Sequence, residues 1–151
     1  MNQIAPLLPI SHILLDVEME SKKRLFEHVG QMFGSELGVV PRVIVDSLMT
    51  REKLGSTGLG QGIAIPHGRI KGLKAATGVL LRLNPALDFN APDQLPVTLV
   101  LILFVPMQAT ALHLQILGEL AQMFSYKTLR DALNQSADSE RVFNLIRNWQ
   151  P

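Results

Sequence analysis

Four histidines are the residues of this chain best suited to chemistry at neutral pH, and no cysteine accompanies them among the 151 residues. Without cysteine, thiolate nucleophiles, disulfides and Cys-based metal sites are excluded. His67 differs from the other three because Pro66 fixes the backbone before it and Gly68 leaves steric room after it. An imidazole presented in this way is placed for contact with something outside the protein. Near pH 7 it is largely neutral and can act as a nucleophile.

A glycine-rich segment directly precedes this histidine, with four glycines in the eight residues 55–62. Such a segment disfavours a regular element and allows close approach to a ligand. It has neither the spacing of a dinucleotide fingerprint nor the Gly-Lys-Ser/Thr ending of a P-loop. We therefore expect its backbone N–H groups and hydroxyls to meet an anion. The candidate phosphate-loop residues are Ser56, Thr57, Gly58, Gly60, Gly62 and Gly68.

Two further side chains are candidates for the same site. Arg51 closes the helix before the glycine-rich segment, where it could either satisfy the helix C-terminus or fork a phosphate with two N–H donors. His113 stands among apolar residues near the start of a later helix and could donate a hydrogen bond to an oxygen near His67. The spacing leaves open whether these two residues converge on His67.

The remaining histidines point to structure rather than chemistry. His12 precedes a strand, and His28 lies at the border of the apolar face of a helix. No two histidines have the i, i+4 spacing of a helical metal site, and no His-Glu-x-x-His sequence is present. The sequence therefore predicts no metal site.

The elements that must position these residues alternate between strands and helices. Ser21 is expected to cap the first helix, Gly34 to weaken it and Gly38 to end it. The predicted strands are residues 13–15, 63–65, 77–83 and 97–105, with a turn at 84–85. Five helices are predicted: one from residue 22, one over 41–53, one from 107, one over 127–133 and one from 138 or 139. Because 97–105 is almost entirely apolar, we expect a strand buried on both faces, with helices covering both sides of its sheet. The apolar side of the second helix is expected to include Val43, Ile44, Leu48 and Val40.

Composition narrows the class of protein. Hydrophobic residues make up 47% of the chain and charged residues 18%, with a formal net charge of +1. These values predict a single globular domain over residues 1–151 and give no indication of nucleic-acid binding. The apolar run at 97–105 is far shorter than the ~20 residues of a membrane-spanning helix, and residues 1–15 lack a signal peptide. We therefore expect no membrane insertion and a cytoplasmic location.

At this point the motifs resemble a known family. Glu52, followed after six residues by the sequence LGQGIAIPHG at 59–68, resembles the phosphorylation-site signature of the mannitol/fructose-type IIA components of the bacterial phosphotransferase system. The resemblance covers nearly the whole chain and includes 51–52, 103–106 and the helix around His113. Within the family, the sequence GSTG at 55–58 and the free-standing single-domain length are most similar to the nitrogen-regulatory members.

The resemblance implies an α/β fold with a mixed β-sheet sandwiched between helices. It also implies that His67 accepts a phosphoryl group from a phosphohistidine of a small HPr-like or NPr-like phosphocarrier, with Arg51 and His113 as auxiliary phosphate-site residues. No cofactor is implied. Since no IIB or IIC domain follows Pro151, we expect regulation of partner proteins according to phosphorylation state rather than sugar transport by this polypeptide alone.

Two alternatives remain open on the sequence. A sugar-specific IIA component would pass the phosphate to a separate IIB protein, whereas a binding module would hold an anion without covalent transfer. The enzymatic role is limited to a phosphohistidine intermediate, with no independent turnover of a small molecule. The downstream partner is not predicted, and the apolar composition also allows a homodimer.

Overall fold

The computed structural model describes residues 2–108 and 110–151. Two short 3₁₀ turns, Ala5–Leu7 and Ile10–His12, precede the first strand. The strands are β1 (Ile13–Val17), β2 (Gly58–Gly60), β3 (Ile63–Ala64), β4 (His67–Ile70), β5 (Thr77–Leu87) and β6 (Val97–Pro106). The helices are α1 (Lys22–Leu37), α2 (Pro41–Leu54), α3 (Thr110–Phe124), α4 (Lys127–Gln135) and α5 (Ser139–Asn148).

Capping explains where the first helices begin and end. The Ser21 side chain accepts a hydrogen bond from the Arg24 backbone N–H at the start of α1, and Gly38 ends the helix in the left-handed conformation with φ 70°. Pro41 occupies the first turn of α2, a position where its missing N–H costs nothing. Gly34 lies inside α1, at a position where a Cβ would collide with the backbone oxygen of Val39. None of the helices formed by residues 2–108 and 110–151 is long and apolar enough to cross a membrane.

The sheet is mixed, as predicted. Its strand order is β1-β5-β6-β3-β2, and β4 also pairs with β6. β5 runs antiparallel to β6, whereas β3 and β4 both run parallel to it. β3 and β4 follow one another along the same edge of β6, with Ile63 opposite Leu99 and His67 opposite Leu103. Among the described strands β4 pairs with β6 alone, so His67 lies on an edge strand, beside the central strand β6.

The apolar side chains form two clusters, one on each face of the sheet. Alternate residues of β6 point to opposite faces, so Leu101 and Leu103 join one cluster while Ile102 and Phe104 join the other. The first cluster includes Ile116, Leu120, Leu133, Val142 and Ile146 from α3, α4 and α5. The second includes Leu25, Phe26, Val29, Ile44 and Leu48 from α1 and α2. The predicted strand buried on both faces, with helices on both sides, is confirmed.

Some local predictions are wrong. Asn84-Pro85 does not turn the chain, because β5 continues through this cis peptide bond to Leu87, with an irregular register after Arg82. Val40 and Val43 are exposed rather than packed on the apolar side of α2. The glycine-rich segment includes the short strand β2, which pairs with β3. The helix expected from Met107 begins at Thr110, and Ala109, on which part of that prediction falls, lies outside the described residues.

Candidate phosphoryl-acceptor site

The two ring nitrogens of His67 have different partners. Its Nδ1 lies 2.9 Å from the carbonyl oxygen of Ile65, and the Nε of Arg51 donates to its Nε2 at 3.2 Å. Because the arginine Nε–H can only donate, Nε2 must be the accepting nitrogen and Nδ1 must carry the proton. The half-buried ring therefore presents a lone pair at Nε2 toward Arg51.

Arg51 is placed by the end of α2 to contact both its own helix end and His67. Its Nη1 donates to the carbonyl oxygen of Gly55, the residue that caps the helix, at 2.8 Å. The sequence left a choice between a helix-end contact and a ligand contact for this arginine. The structure shows the helix-end contact through Nη1 and a simultaneous contact of Nε with His67.

His113 approaches the same imidazole from α3. The two rings meet edge to face, with centroids 5.1 Å apart and an interplanar angle of 69°. The His113 side chain is buried, and its Nε2 has no hydrogen-bond partner among residues 2–108 and 110–151. A buried polar nitrogen without a partner is costly, so His113 can gain a hydrogen bond when an acceptor enters the site.

Burial and neighbouring charge favour the neutral form of both histidines. Burial lowers the pKa of His67, the positive charge of Arg51 lowers it further, and the hydrogen bond to Ile65 opposes both effects. Burial also lowers the pKa of His113, with added contributions from His67 and Arg69. Both rings are therefore neutral near pH 7, and the Nε2 lone pair of His67 is free of a proton.

An open depression of about 510 Å³ surrounds these rings. It is lined by Asp46, Ser47, Thr50, Arg51, Leu54, His67, Gly68, Arg69, Met107 and His113. The one carboxylate in the lining belongs to Asp46, which lies 3.7 Å from Arg42 in an exposed ion pair. The two arginines of the lining make the depression suited to an anion, and its exposed apolar side chains, Leu54 and Met107, suit contact with a protein surface.

Arg69 is a lining residue that the sequence reasoning missed. It follows His67 by two positions on β4, and residues two apart on a strand share a face. That periodicity was the available signal, since β4 was not among the predicted strands. The structure thus adds a second arginine to the surroundings of His67.

The hydroxyls of Ser56 and Thr57 are directed away from His67. Ser56 Oγ donates to the carbonyl oxygen of Phe89 at 2.6 Å, and Thr57 Oγ1 donates to the Glu52 carboxylate at 2.5 Å. Both hydroxyl protons are therefore used inside the protein. The structure does not place either hydroxyl in the lining of the depression, contrary to the sequence-based expectation of an anion-facing loop.

Three of the predicted loop glycines also lie elsewhere. Gly58 packs against Ala91, Gly60 ends β2, and Gly62 lies in the turn between β2 and β3. The carbonyl oxygen of Gly62 accepts a hydrogen bond from the backbone N–H of Thr98. Thr98 lies five positions along β6 from Leu103, the residue opposite His67, which is a distance of about 16 Å. Of the predicted set, the structure gathers Arg51, His67, Gly68 and His113.

The other two histidines lie outside the depression. His12 is buried, with Nδ1 2.8 Å from Gly78 O and Nε2 3.2 Å from the Glu36 carboxylate. Its ring also meets that of Phe33 edge to face. These contacts agree with the structural role predicted for His12, while His28 is exposed on α1.

Comparison with known proteins agrees with the fold. Residues 6–149 match the family described as "Phosphoenolpyruvate-dependent sugar phosphotransferase system, EIIA 2". The nitrogen regulatory protein of Pseudomonas aeruginosa is 36% identical over 151 residues, covering 99% of this chain and 98% of that protein. The crystal structure of nitrogen regulatory protein IIA-Ntr from Neisseria meningitidis is 47% identical, with a TM-score of 0.90 and coverage of 94% of this chain and 97% of that one. The IIA mannitol structure from Escherichia coli, 22% identical with a TM-score of 0.77 over 92% and 98%, supports the fold alone.

The fold and the family match define a IIA-type domain, and the chain belongs to the EIIA 2 family of the phosphoenolpyruvate-dependent sugar phosphotransferase system. Within that family, its full-length relatives mark it as a nitrogen-regulatory phosphocarrier. The predicted family, fold class and function class are confirmed. The relatives favour the regulatory role over the sugar-specific alternative.

Proposed function

We propose that Nε2 of His67 accepts a phosphoryl group from a phosphohistidine on a small HPr-like or NPr-like carrier, and that this modification changes how the protein acts on its partners. The observation that carries the proposal is that two side chains meet the His67 ring: Arg51 donates to its Nε2, and the His113 ring packs against it edge to face. The domain, residues 1–151, would act in the cytoplasm with its donor and would need no cofactor.

The transfer requires no proton movement at His67. The Nε2 lone pair attacks phosphorus, the bond from phosphorus to the donor imidazole breaks, and its electron pair stays on the donor nitrogen. The positive charge that develops on the ring is stabilised because Nδ1–H already donates to Ile65 O. The protein contributes mainly positioning and charge stabilisation, as is general for phosphoryl transfer.

The two auxiliary side chains stabilise the transferred group. In the unphosphorylated protein Arg51 donates a hydrogen bond to Nε2 of His67. After transfer, its N–H groups would donate to the equatorial oxygens of the phosphoryl group instead. The unpartnered Nε2 of buried His113 would donate to another oxygen in the tautomer that protonates this atom. Each contact forms only when phosphate is present, so both favour the phosphorylated state.

Phosphorylation changes the charge of the depression. The phosphoryl oxygens bring about −2 charge next to the Nδ1-protonated ring, at a surface that a partner protein can contact. A partner that docks against this surface would experience a changed electrostatic field without any refolding of the chain. This is the physical basis that we propose for regulation by phosphorylation state.

The proposal is tested by incubating the protein with phosphoenolpyruvate, enzyme I and an HPr-type carrier. We expect acid-labile phosphate on the wild-type protein and none on His67→Ala. His28→Ala, an exposed histidine outside the site, is the matched control and should label normally. Label on His67→Ala would contradict the proposal, and stable anion binding without phosphohistidine would favour the binding-module alternative.

A further inference from the structure

Glu52 is a buried carboxylate next to Arg51 that the transfer mechanism does not use. Its side chain is 4% exposed. Its oxygens accept from Thr57 Oγ1 at 2.5 Å, from the Thr57 backbone N–H at 3.1 Å and from Lys22 Nζ at 3.1 Å. A buried charge persists only when it is paired and hydrogen-bonded in this way. The contacts join the end of α2 to the start of α1 and to the segment before β2.

These contacts fix the position of the segment at 55–57, which contains the carbonyl group that Arg51 contacts. The backbone N–H of Gly55 donates to the backbone oxygen of Glu52, and the Glu52 side chain holds Thr57 two residues later. The Gly55 carbonyl lies between these two anchored points. It accepts from Arg51 Nη1 at 2.8 Å, while Nε of the same guanidinium contacts His67 at 3.2 Å. The position of the guanidinium therefore depends on the position of this segment.

A second set of hydrogen bonds holds the segment at 55–57 to the loop after β5. Lys22 Nζ donates both to Glu52 and to Phe89 O, and Ser56 Oγ donates to the same Phe89 oxygen. The loop after β5 is thereby joined to both α1 and the segment at 55–57. All of these bonds involve groups that are buried or partly buried, where hydrogen bonds are little weakened by water.

We propose that Glu52 is a positioning residue for phosphoryl transfer: its carboxylate holds the 55–57 segment so that Gly55 O aligns the Arg51 guanidinium with Nε2 of His67. This inference rests on the proposed function of His67. Glu52 does not contact the reacting atoms, and it acts through Thr57, Gly55 and Arg51. The charge of Glu52 has a second effect, because it opposes the lowering of the His67 pKa by burial and by Arg51.

The variant Glu52→Gln keeps the shape of the side chain and removes its charge. One amide oxygen cannot replace two carboxylate oxygens, so the hydrogen bonds from Thr57 and Lys22 to this side chain weaken. A displacement of about 1 Å in a positioning contact can cost up to ~100-fold in rate, and we expect phosphoryl transfer to slow by about tenfold or more. By NMR, the Arg51 Nε–Hε signal should shift, and the pKa of His67 should fall below its wild-type value.

Glu27→Gln is the matched control, because Glu27 is a partly exposed glutamate of α1 that pairs with Arg24. It should leave the rate, the Arg51 signal and the His67 titration unchanged. Wild-type values of all three in Glu52→Gln would overturn the positioning role. Absence of phosphate on the wild-type protein would instead refute the proposed function, and the two NMR measurements would still decide the role of Glu52.

A second pair of variants keeps the test decisive if Glu52→Gln fails to fold. Thr57→Val removes the hydroxyl that donates to Glu52 and keeps the side-chain shape, while Thr57→Ser retains the hydroxyl. We expect Thr57→Val to show the slowed transfer and the shifted Arg51 signal, and Thr57→Ser to restore both. Equal, wild-type behaviour of the two variants would overturn the proposal.

Discussion

At the scale of single residues, His67 is defined by what holds each of its nitrogens. The carbonyl oxygen of Ile65 accepts a hydrogen bond from Nδ1–H, and Arg51 Nε–H donates one to the lone pair of Nε2. The sequence indicated the importance of His67 through the proline before it and the glycine after it. It could not indicate the tautomer, because that depends on a carbonyl two residues away and on an arginine brought in from α2. The edge-to-face contact with His113, 46 residues later in the chain, likewise requires the folded sheet.

The lowered pKa values of His67 and His113 predict how stability depends on pH. Unfolded histidine titrates near pH 6.5, and burial holds the folded pKa of both residues below that value. At pH values between the folded and unfolded pKa values, the unfolded chain binds more protons than the folded one. The contribution of these two histidines to the free energy of unfolding should therefore be fully present above about pH 6.5. It should be lost as the pH falls through the folded pKa values.

The measurement is urea unfolding between about pH 7.5 and 5, compared with the double variant His67→Asn/His113→Gln. The variant retains His12 and His28, so their contributions to the slope cancel in the comparison. We expect a flatter pH profile for the double variant. Profiles of equal slope would show that the two rings are not held neutral by the fold.

At the scale of elements, the site depends on the close approach of α2 and β4, which carry Arg51 and His67. Gly68 permits that approach, because a Cβ at this position would overlap the Ser47 side chain of α2. Ser47 Oγ also donates to Arg69 O of β4 at 3.1 Å. Periodicity and capping predicted α2 closely, but β4 has only four residues and no apolar alternation long enough to recognise. The contact between the two elements was therefore beyond sequence reasoning.

Gly68→Ala should lower the free energy of unfolding by about 1–3 kcal/mol, because the added methyl group forces Ser47 or the helix to move. It should also slow phosphoryl transfer, since α2 carries Arg51 away from His67. Ser47→Ala alone should cost less, about 0.5–1.5 kcal/mol for one hydrogen bond. Because Ser47→Ala removes the overlapping oxygen, the double variant should lose less stability than the sum of the two single variants in urea unfolding. Strict additivity would contradict this account of Gly68.

At the scale of the whole molecule, one sheet separates two apolar layers. The run at 97–105 predicted this layering, because a strand that is apolar at almost every position must be covered on both faces. The strand order and the placement of β3 and β4 along one edge of β6 were not predictable, since they are set by long-range pairing. Arg82 illustrates the same limit: it lies within an apolar strand, yet it is buried and joins β5 to β1 and to the α4–α5 connection.

The Arg82 contacts predict a large effect on stability. Its guanidinium donates to both oxygens of Asp16 and to the carbonyl oxygens of Leu133 and Ser136. Arg82→Met would leave the two carbonyls without a partner, at a cost of about 1–3 kcal/mol each. We expect urea unfolding to show a loss of about 2–4 kcal/mol.

Arg24→Met is the matched control for Arg82→Met, because Arg24 forms an exposed pair with Glu27 at 3.4 Å. Exposed pairs contribute about 0–1 kcal/mol, so this variant should unfold almost as the wild type does. Similar losses for the two variants would show that the buried contacts of Arg82 add little beyond an ordinary surface charge.

The central claim is that the phosphoryl group forms a bond to Nε2 of His67, and ¹⁵N–³¹P NMR of the phosphorylated, histidine-labelled protein tests it most directly. Because Ile65 O holds the proton on Nδ1, we predict that phosphorus couples to Nε2 of His67 and that Nδ1 remains protonated. The ring signals of His12 and His28 should show no coupling to phosphorus. Phosphorus coupled to Nδ1 of His67, or to any other histidine, would contradict the account.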